Sequence, residues 1–288
     1  MKKLNLFARR TVSERIVFAI VFLMFMTVAL SYIYIFVWGF LAGLKTHDEV
    51  ILKPFGLPET AHFKHYLEVF TRLKVEGYDF FGMLLNSMYF SILGPLITNM
   101  MACMLAYATT KYKFPGSKLY GIIVTFIVIL PIYGSGGSAY RLYYKLGLIS
   151  SYSQIILAFG GMNMTYLYFQ AAFSNLSWGY AEAAFIDGAN DYTVFFRIML
   201  PQVMNVFGTL FILAWVGDWN NYANPLIYLP KLPTLASGIY LFELNMTYEV
   251  RMDLLYAAYM ITAIPPLILF SVFNNALTSN LSMGGLKE

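Results

Sequence analysis

Six stretches of mainly apolar residues, at approximately 16–44, 83–109, 119–139, 151–174, 200–229 and 254–277, dominate this sequence. Crossing roughly 30 Å of hydrocarbon at about 1.5 Å per residue takes about 20 such residues in a helix, and every stretch reaches that length. With 59% of its 288 residues hydrophobic and 12% charged, the chain carries more apolar surface than one soluble core buries. The expected fold is therefore all-α, a polytopic membrane protein with six transmembrane helices. The first stretch follows MKKLNLFARRTVSER but is too long for the apolar core of a signal peptide, so it reads as an uncleaved first span.

Charge sets the expected topology. Lys2, Lys3, Arg9, Arg10 and Arg15 precede the first span, and Lys111, Lys113 and Lys118 fill the short link between the second and third. Basic flanks of this kind stay in the cytoplasm, which places both termini inside after six spans. The organisation that follows is a cytoplasmic segment 1–15, a first span 16–44, an extracytoplasmic loop 45–81, a five-span body 82–278 and a cytoplasmic tail 279–288. In the loop, Pro54 and Pro58 break the start, and Phe63, Tyr66, Leu67 and Phe70 predict an amphipathic helix from about His62 to Leu73. The 19 Lys and Arg against 15 Asp and Glu give a net charge of +4, without the dense basic stripe that nucleic acid requires. The single cysteine, Cys103, lies in an apolar run and reads as a buried small residue.

Several chemistries are missing. No G-x-x-x-x-G-K-[ST] phosphate loop occurs, so the chain has no visible means of hydrolysing ATP, and no catalytic pair or metal cluster suggests an enzyme. His62 and His65 are spaced to share a metal but lack an evident third ligand, so solvated histidines are the favoured reading. Gly39 and Gly43 allow close helix packing, although glycine is common in membrane helices. Gly134-Ser-Gly-Gly137 reads as a break or turn at the end of a span. An ion relay needs several ionisable groups within the membrane, and Asp218 is the one strong candidate. Three roles stay open for it: contact with a substrate, pairing with a partner subunit, or solvation among headgroups. An ion-coupled secondary transporter is thus the alternative reading, disfavoured by the single acid and the absence of a repeat.

The segment Tyr180-Ala-Glu-Ala-Ala-Phe-Ile-Asp-Gly-Ala-Asn-Asp is the most informative. Ser177 can cap a helix, Ala181 to Ile186 are good to fair helix formers, and Gly188 can end the helix, predicting a short cytoplasmic helix between spans four and five. Small side chains at Ala181, Ala183, Ala184 and Gly188 permit close approach by another protein, with Glu182, Asp187 and Asp191 as polar grips. An amphipathic helix lying on the bilayer would have the same composition. The spacing is more specific: Glu182-Ala183-Ala184, three residues, Gly188, nine residues, Ile198, one residue, Leu200-Pro201. This resembles the EAA loop of bacterial ABC importer permeases at every fixed position. Asn86-Ser87, Ala106-Tyr107-Ala108, Lys113-Phe114-Pro115-Gly116, Gly147-Leu148-Ile149, Trp219-Asn220, Pro225-Leu226 and the ending Gly284-Gly285-Leu286-Lys287 are similar to elements of the carbohydrate-uptake permeases, most closely the MalG-like member of their pairs. The segment Gly134 to Tyr144 departs from that pattern, where the family usually has a second proline and a hydrophobic-Leu-Tyr element.

The resemblance implies a permease in a bacterial inner membrane, paired with a second, homologous permease. It also implies ABC ATPase subunits that use ATP and Mg, a cofactor this chain does not bind, and an extracytoplasmic solute-binding protein that delivers a sugar. It assigns ATPase docking to Glu182, Ala183, Ala184 and Gly188, with Asp187 in support. Glu182 would be the polar anchor, Ala184 the close-contact residue and Gly188 the tight turn, whereas Leu200 and Pro201 would shape re-entry into span five. Sugars are bound by aromatic faces and planar polar groups, so Asp218, Trp219, Asn220, Asn221, Tyr222 and Asn224 form the expected substrate path. Interface belts alone would also account for Trp219 and Tyr222.

Overall fold

The computed structural model describes residues 12–130, 136–245 and 251–282, with side chains in the last segment through 273. These residues are mostly helical and form no strand, only an isolated bridge between Val75 and Tyr78. Along the chain run α1 (Val12–Leu44), α2 (His47–Leu52), α3 (Lys64–Arg72), α4 (Phe80–Lys111), α5 (Ser117–Ile129), α6 (Gly136–Lys145), a 3-10 helix (Tyr152–Phe159) and α7 (Met164–Ser174). There follow α8 (Gly179–Ile186), α9 (Asp191–Thr193), a π-helix (Val194–Met199), α10 (Leu200–Gln202), α11 (Met204–Asn220), α12 (Ala223–Tyr228), α13 (Leu235–Leu244) and α14 (Met252–Ser282).

Among the described residues, three helices are individually long and apolar enough to cross a membrane: α1, α4 and α14 over Met252–Phe273. A fourth candidate is the pair Asp191–Gln202 and Met204–Asn220, bent by 73°. The other expected spans are not continuous helices. In the stretch 119–139, α5 ends at Ile129 after 13 residues, and 131–135, which include Gly134, lie outside the described residues. The stretch 151–174 divides at Gly160-Gly161, and Asn163 starts a new helix by accepting a hydrogen bond from the Tyr166 amide at 3.3 Å. The stretch 200–229 divides twice. Pro201 sits in the first turn of α10, Val203 separates α10 from α11, and Asn221 caps α11 before the short α12. Apolar length set the expected spans, but capping and backbone-breaking residues decide where a helix runs without interruption.

One compact unit comprises residues up to Val69 and Met246–Ala263. Most of α1 is exposed around its whole circumference although every face is apolar, the pattern of a helix long and apolar enough to cross a membrane. Its C-terminal end alone is buried. There a Cβ on Gly43 would lie 3.0 Å from the Ala257 backbone nitrogen of α14 and 2.8 Å from Tyr66 Oη. Of the two glycines, Gly43 is the one that admits a close backbone approach, whereas Gly39 faces only the flexible end of Met260. Trp38 meets Tyr256 edge-on at 5.1 Å, and Tyr66 donates to the Phe40 carbonyl at 2.9 Å. Thr46 and Glu49 form a reciprocal capping box that starts α2. The loop helix forms as Lys64–Arg72, within the expected range.

Of the two spaced histidines, His65 is not solvated as expected, and both rings have hydrogen-bond partners. His65 is buried, with Nδ1 3.3 Å from the Gly43 carbonyl and Nε2 3.4 Å from Asp253 Oδ2, while His62 Nε2 lies 2.8 Å from Thr60 Oγ1. Arg251 donates to Asp253 at 2.7 Å and to Glu68 at 3.2 Å. The Asp253 contact is the main reason its guanidinium is held even more firmly protonated than usual.

The second unit, Phe70–Asn245 with residues from Ile264 onward, is organised around α4. Small residues Ala102, Cys103 and Ala106 on α4 admit Tyr166, Phe169 and Phe173 of α7, together with Val194, Phe195 and Met199 of the π-helix, into one buried cluster. Cys103 is a free thiol within it, as its apolar context implied. Near the other end of α4, Asn86 Nδ2 donates to the Pro233 carbonyl at 2.9 Å, and Ser87 Oγ accepts from the Leu235 amide at 2.7 Å. The Asn86-Ser87 pair thus holds the start of α4 to the start of α13.

Candidate functional site

Two places in the second unit carry the polar residues of interest. The first is the segment between α7 and α11. Ser177 Oγ accepts from the Gly179 amide at 3.2 Å, and α8 starts there. At the other end Gly188 takes φ of +82°, a conformation that costs glycine little, and two reverse hydrogen bonds close the helix. The Gly188 amide donates to the Phe185 carbonyl at 3.0 Å and the Ala189 amide to the Ala184 carbonyl at 2.9 Å, the paired bonds of a Schellman terminus. Asn190 then caps α9 by accepting from the Thr193 amide at 2.8 Å. One helix is stopped and another started within four residues, so the turn has a defined geometry.

Burial divides α8 into two faces. Ala181 and Ala184 are buried, whereas Glu182, Ala183, Ile186, Asp187 and Gly188 are exposed, Ile186 at 85%. Ala184, the close-contact residue that the resemblance implies, is thus turned inward in this chain. It packs into the cluster with Phe195 and Phe173, since residues three apart share a helix face and Ala181 already points inward. Ala183 holds the exposed small position instead.

The segment is strapped to the end of α4. Tyr112 donates to Asp191 Oδ1 at 2.6 Å, its hydroxyl lies 3.3 Å from that of Tyr107, and its ring meets Trp178 edge-on at 5.6 Å. Burial, reinforced by the Asp191 contact, pushes the Tyr112 phenol far above its ordinary value, so it stays a proton donor. Lys111 Nζ donates to the Leu176 carbonyl at 2.6 Å. Sequence reasoning had used Lys111 only as a topology marker and had not picked out Tyr112 or Trp178. No local pattern links residues 66 and 79 positions apart from their partners.

The second place is a cavity of about 280 Å³ lined by α4, α6, the 3-10 helix, α11, α12 and Thr234. Asp218, Asn221 and Asn224 line it, with Phe90, Tyr143 and Tyr228 as aromatic walls. Ser91 Oγ, also lining, is buried and without a hydrogen-bond partner among the described residues. Asp218 faces α4 closely enough that a Cβ on Gly94 would lie 3.6 Å from its Oδ2.

The expected substrate path is thus divided. Trp219 is buried and stacks on Trp215 at 5.2 Å, Asn220 donates to the Val216 carbonyl at 2.8 Å, and Tyr222 stacks on Tyr240 at 4.8 Å. None of these three lines the cavity. Consecutive helical residues point about 100° apart, so a run of neighbours cannot share one site, whereas positions near three apart can. Ser91 and Gln154 were missed. The available signal was the series Ser87, Ser91, Gly94 and Thr98, a polar and small stripe at helical spacing along the apolar α4.

No protein-family model matches the chain. Curated relatives align over most of it. The diacetylchitobiose uptake system permease protein NgcG of Streptomyces coelicolor is 26% identical over 256 residues, covering 86% of this chain and 82% of that protein. The arabinooligosaccharides transport system permease protein AraQ of Bacillus subtilis is 27% identical over 268 residues, covering 92% and 94%. The inner membrane ABC transporter permease protein YcjP of Escherichia coli is 23% identical over 286 residues, covering 97% and 98%. A chain of a bacterial ABC transporter that imports the acidic polysaccharide alginate shares the fold, with a TM-score of 0.76 and 21% identity over 92% of this chain and 98% of that one.

Proposed function

We propose that this chain, a permease of the carbohydrate-uptake class of ABC importers, is one half of a paired permease in a bacterial inner membrane and moves a sugar or oligosaccharide delivered by an extracytoplasmic binding protein. Its relatives are named for diacetylchitobiose and arabinooligosaccharides, and a solved neighbour is bound to a periplasmic protein carrying an alginate pentasaccharide. In this reading six membrane crossings leave both termini in the cytoplasm. Expected spans three to five cross as broken helices, a form tolerated where backbone is buried in protein or lines a water-filled path.

The observation that carries the reading is the tie between the end of α4 and the start of α9, just past α8, made by Tyr112 and Asp191, with one face of α8 left outward. That face, Glu182, Ala183, Ile186, Asp187 and Gly188, docks on an ABC ATPase subunit, while Ala184 seats the helix from behind. The partner ATPases supply the ATP and Mg chemistry. Rigid-body closure of the ATPase pair is passed through the strap to α4 and through the π-helix to α11, exchanging inward-facing for outward-facing access. Asp218, Asn221 and Asn224 offer acceptors and donors to sugar hydroxyls, and Phe90, Tyr143 and Tyr228 offer faces to C–H surfaces.

The test is to tag the chain in its host, extract it in mild detergent and identify stoichiometric partners by mass spectrometry. Recovery of an ATPase and a second, similar permease is the expected result. A lone chain, under conditions that keep other membrane complexes intact, would refute the proposal and favour ion-coupled transport.

A further inference from the structure

Directly after α1, residues 51–57 expose an apolar surface that the transport mechanism does not use. Ile51 is 56% exposed, Leu52 78%, Phe55 77% and Leu57 77%, whereas Val50 on the inner face of α2 is buried. The turn is also held at a definite height along α1. Trp38 Nε1 donates to the Pro54 carbonyl at 2.8 Å, and Lys45 Nζ donates to the same carbonyl at 3.1 Å and to that of Lys53 at 2.6 Å. Trp38 and Lys45 are two helical turns apart on one face, so the Pro54 carbonyl lies beside the last two turns of α1 and not beyond its end. The ring of Phe55 stands 6.4 Å from that of Trp38.

Counting from Ile16, the first apolar residue after Arg15, about 20 residues fill the hydrocarbon and end near Ile35. Trp38 then falls in the headgroup layer, the depth at which tryptophan is enriched, and brings the 53–55 turn to that depth with it. Two of the turn's carbonyls are satisfied internally by Lys45 and Trp38, which suits a setting poor in water. Its charged heads, Lys53 and Glu59, pair with each other on the exposed side. The last turns of α1 also expose apolar side chains, Val37 and Phe40.

We propose that residues 51–57 form an interfacial membrane anchor, with Leu52, Phe55 and Leu57 inserted at the boundary of headgroups and acyl chains in the leaflet at the C-terminal end of α1. The occupant is lipid. The inference rests on the reading of α1 as a membrane span.

The test uses the full importer in vesicles of phosphatidylethanolamine and phosphatidylglycerol, in a Cys103→Ala background shown to retain uptake. A nitroxide label is placed at F55C or L57C, with F25C in the middle of α1 as reference. Collision with oxygen, which partitions into lipid, is compared with collision with a water-soluble nickel chelate. The expected result is an oxygen effect several-fold greater than the nickel effect at 55 and 57, at a shallower depth than at 25. A dominant nickel effect at 55 and 57, with 25 in lipid, would overturn the anchor and leave the span intact. Low collision with both reagents would overturn it in favour of a covering protein. A nickel-accessible label at 25 would overturn the span reading on which the anchor rests.

Discussion

Replacing Gly188 with alanine isolates the geometry of the α8 terminus. A Cβ built there meets nothing within 4 Å in this chain, so no internal clash arises. The cost is conformational: at φ of +82° an L-residue loses about 1–2 kcal/mol to contact between Cβ and backbone. Relieving that strain would break the two closing hydrogen bonds and move Asp187 away from the proposed docking face. If the ATPase recognises the turn as it stands, the cost appears as docking roughly 5- to 30-fold weaker. Asparagine, which tolerates left-handed backbone, should lose less, and aspartate should lose most by adding charge at the interface. The assay is retention of the ATPase on the tagged permease across a salt and detergent series, with uptake in the same strain and thermal stability of the extracted chain as controls. Equal retention and uptake in the glycine, alanine and asparagine forms would refute the claim that this turn is the docking element. A matching fall in thermal stability would assign the loss to folding.

Other perturbations separate the remaining parts. Tyr112→Phe removes the Asp191 hydrogen bond and should cost up to about 1 kcal/mol locally; uptake should fall at unchanged protein level, and Asp191→Asn should add little to it, as a double-mutant cycle can show. Gly43→Ala should destabilise by about 1–3 kcal/mol because its Cβ meets backbone of α14, whereas Gly39→Ala meets only the flexible end of Met260 and should be tolerated; melting of the detergent-extracted chain compares them. Asp218→Asn should alter the sugar dependence of uptake with ATPase retention unchanged, and loss of retention would remove Asp218 from the substrate path. Trp219→Phe, away from the cavity, should leave the sugar dependence unaltered while lowering stability.

Much of the local architecture was legible in the residues. The apolar lengths of α1, α4 and α14 announce themselves, and the loop helix formed within its expected range. Thr46-x-x-Glu49 carries a capping-box signature for α2 within three residues of sequence. Gly188 adopted the left-handed turn its place after Ile186 suggested. The interrupted stretches were less legible, because their apolar length resembles that of a continuous helix while Gly160-Gly161, Asn163 and Pro201 act one position at a time.

By itself the sequence determined what depends on near neighbours: the apolar helical stretches, a motif with the spacing of the EAA loop of ABC importer permeases, and the stop and start signals around α8. Only the tertiary structure decided which of those residues meet. It turned Ala184 inward, placed Asp218, Asn221 and Asn224 of the six candidates around one cavity, and joined Tyr112 to Asp191 across 79 positions of chain. The reason is geometric. Spacing within a helix gives relative side-chain direction, but packing between distant segments decides which face is buried, and that is not encoded within a window of adjacent residues.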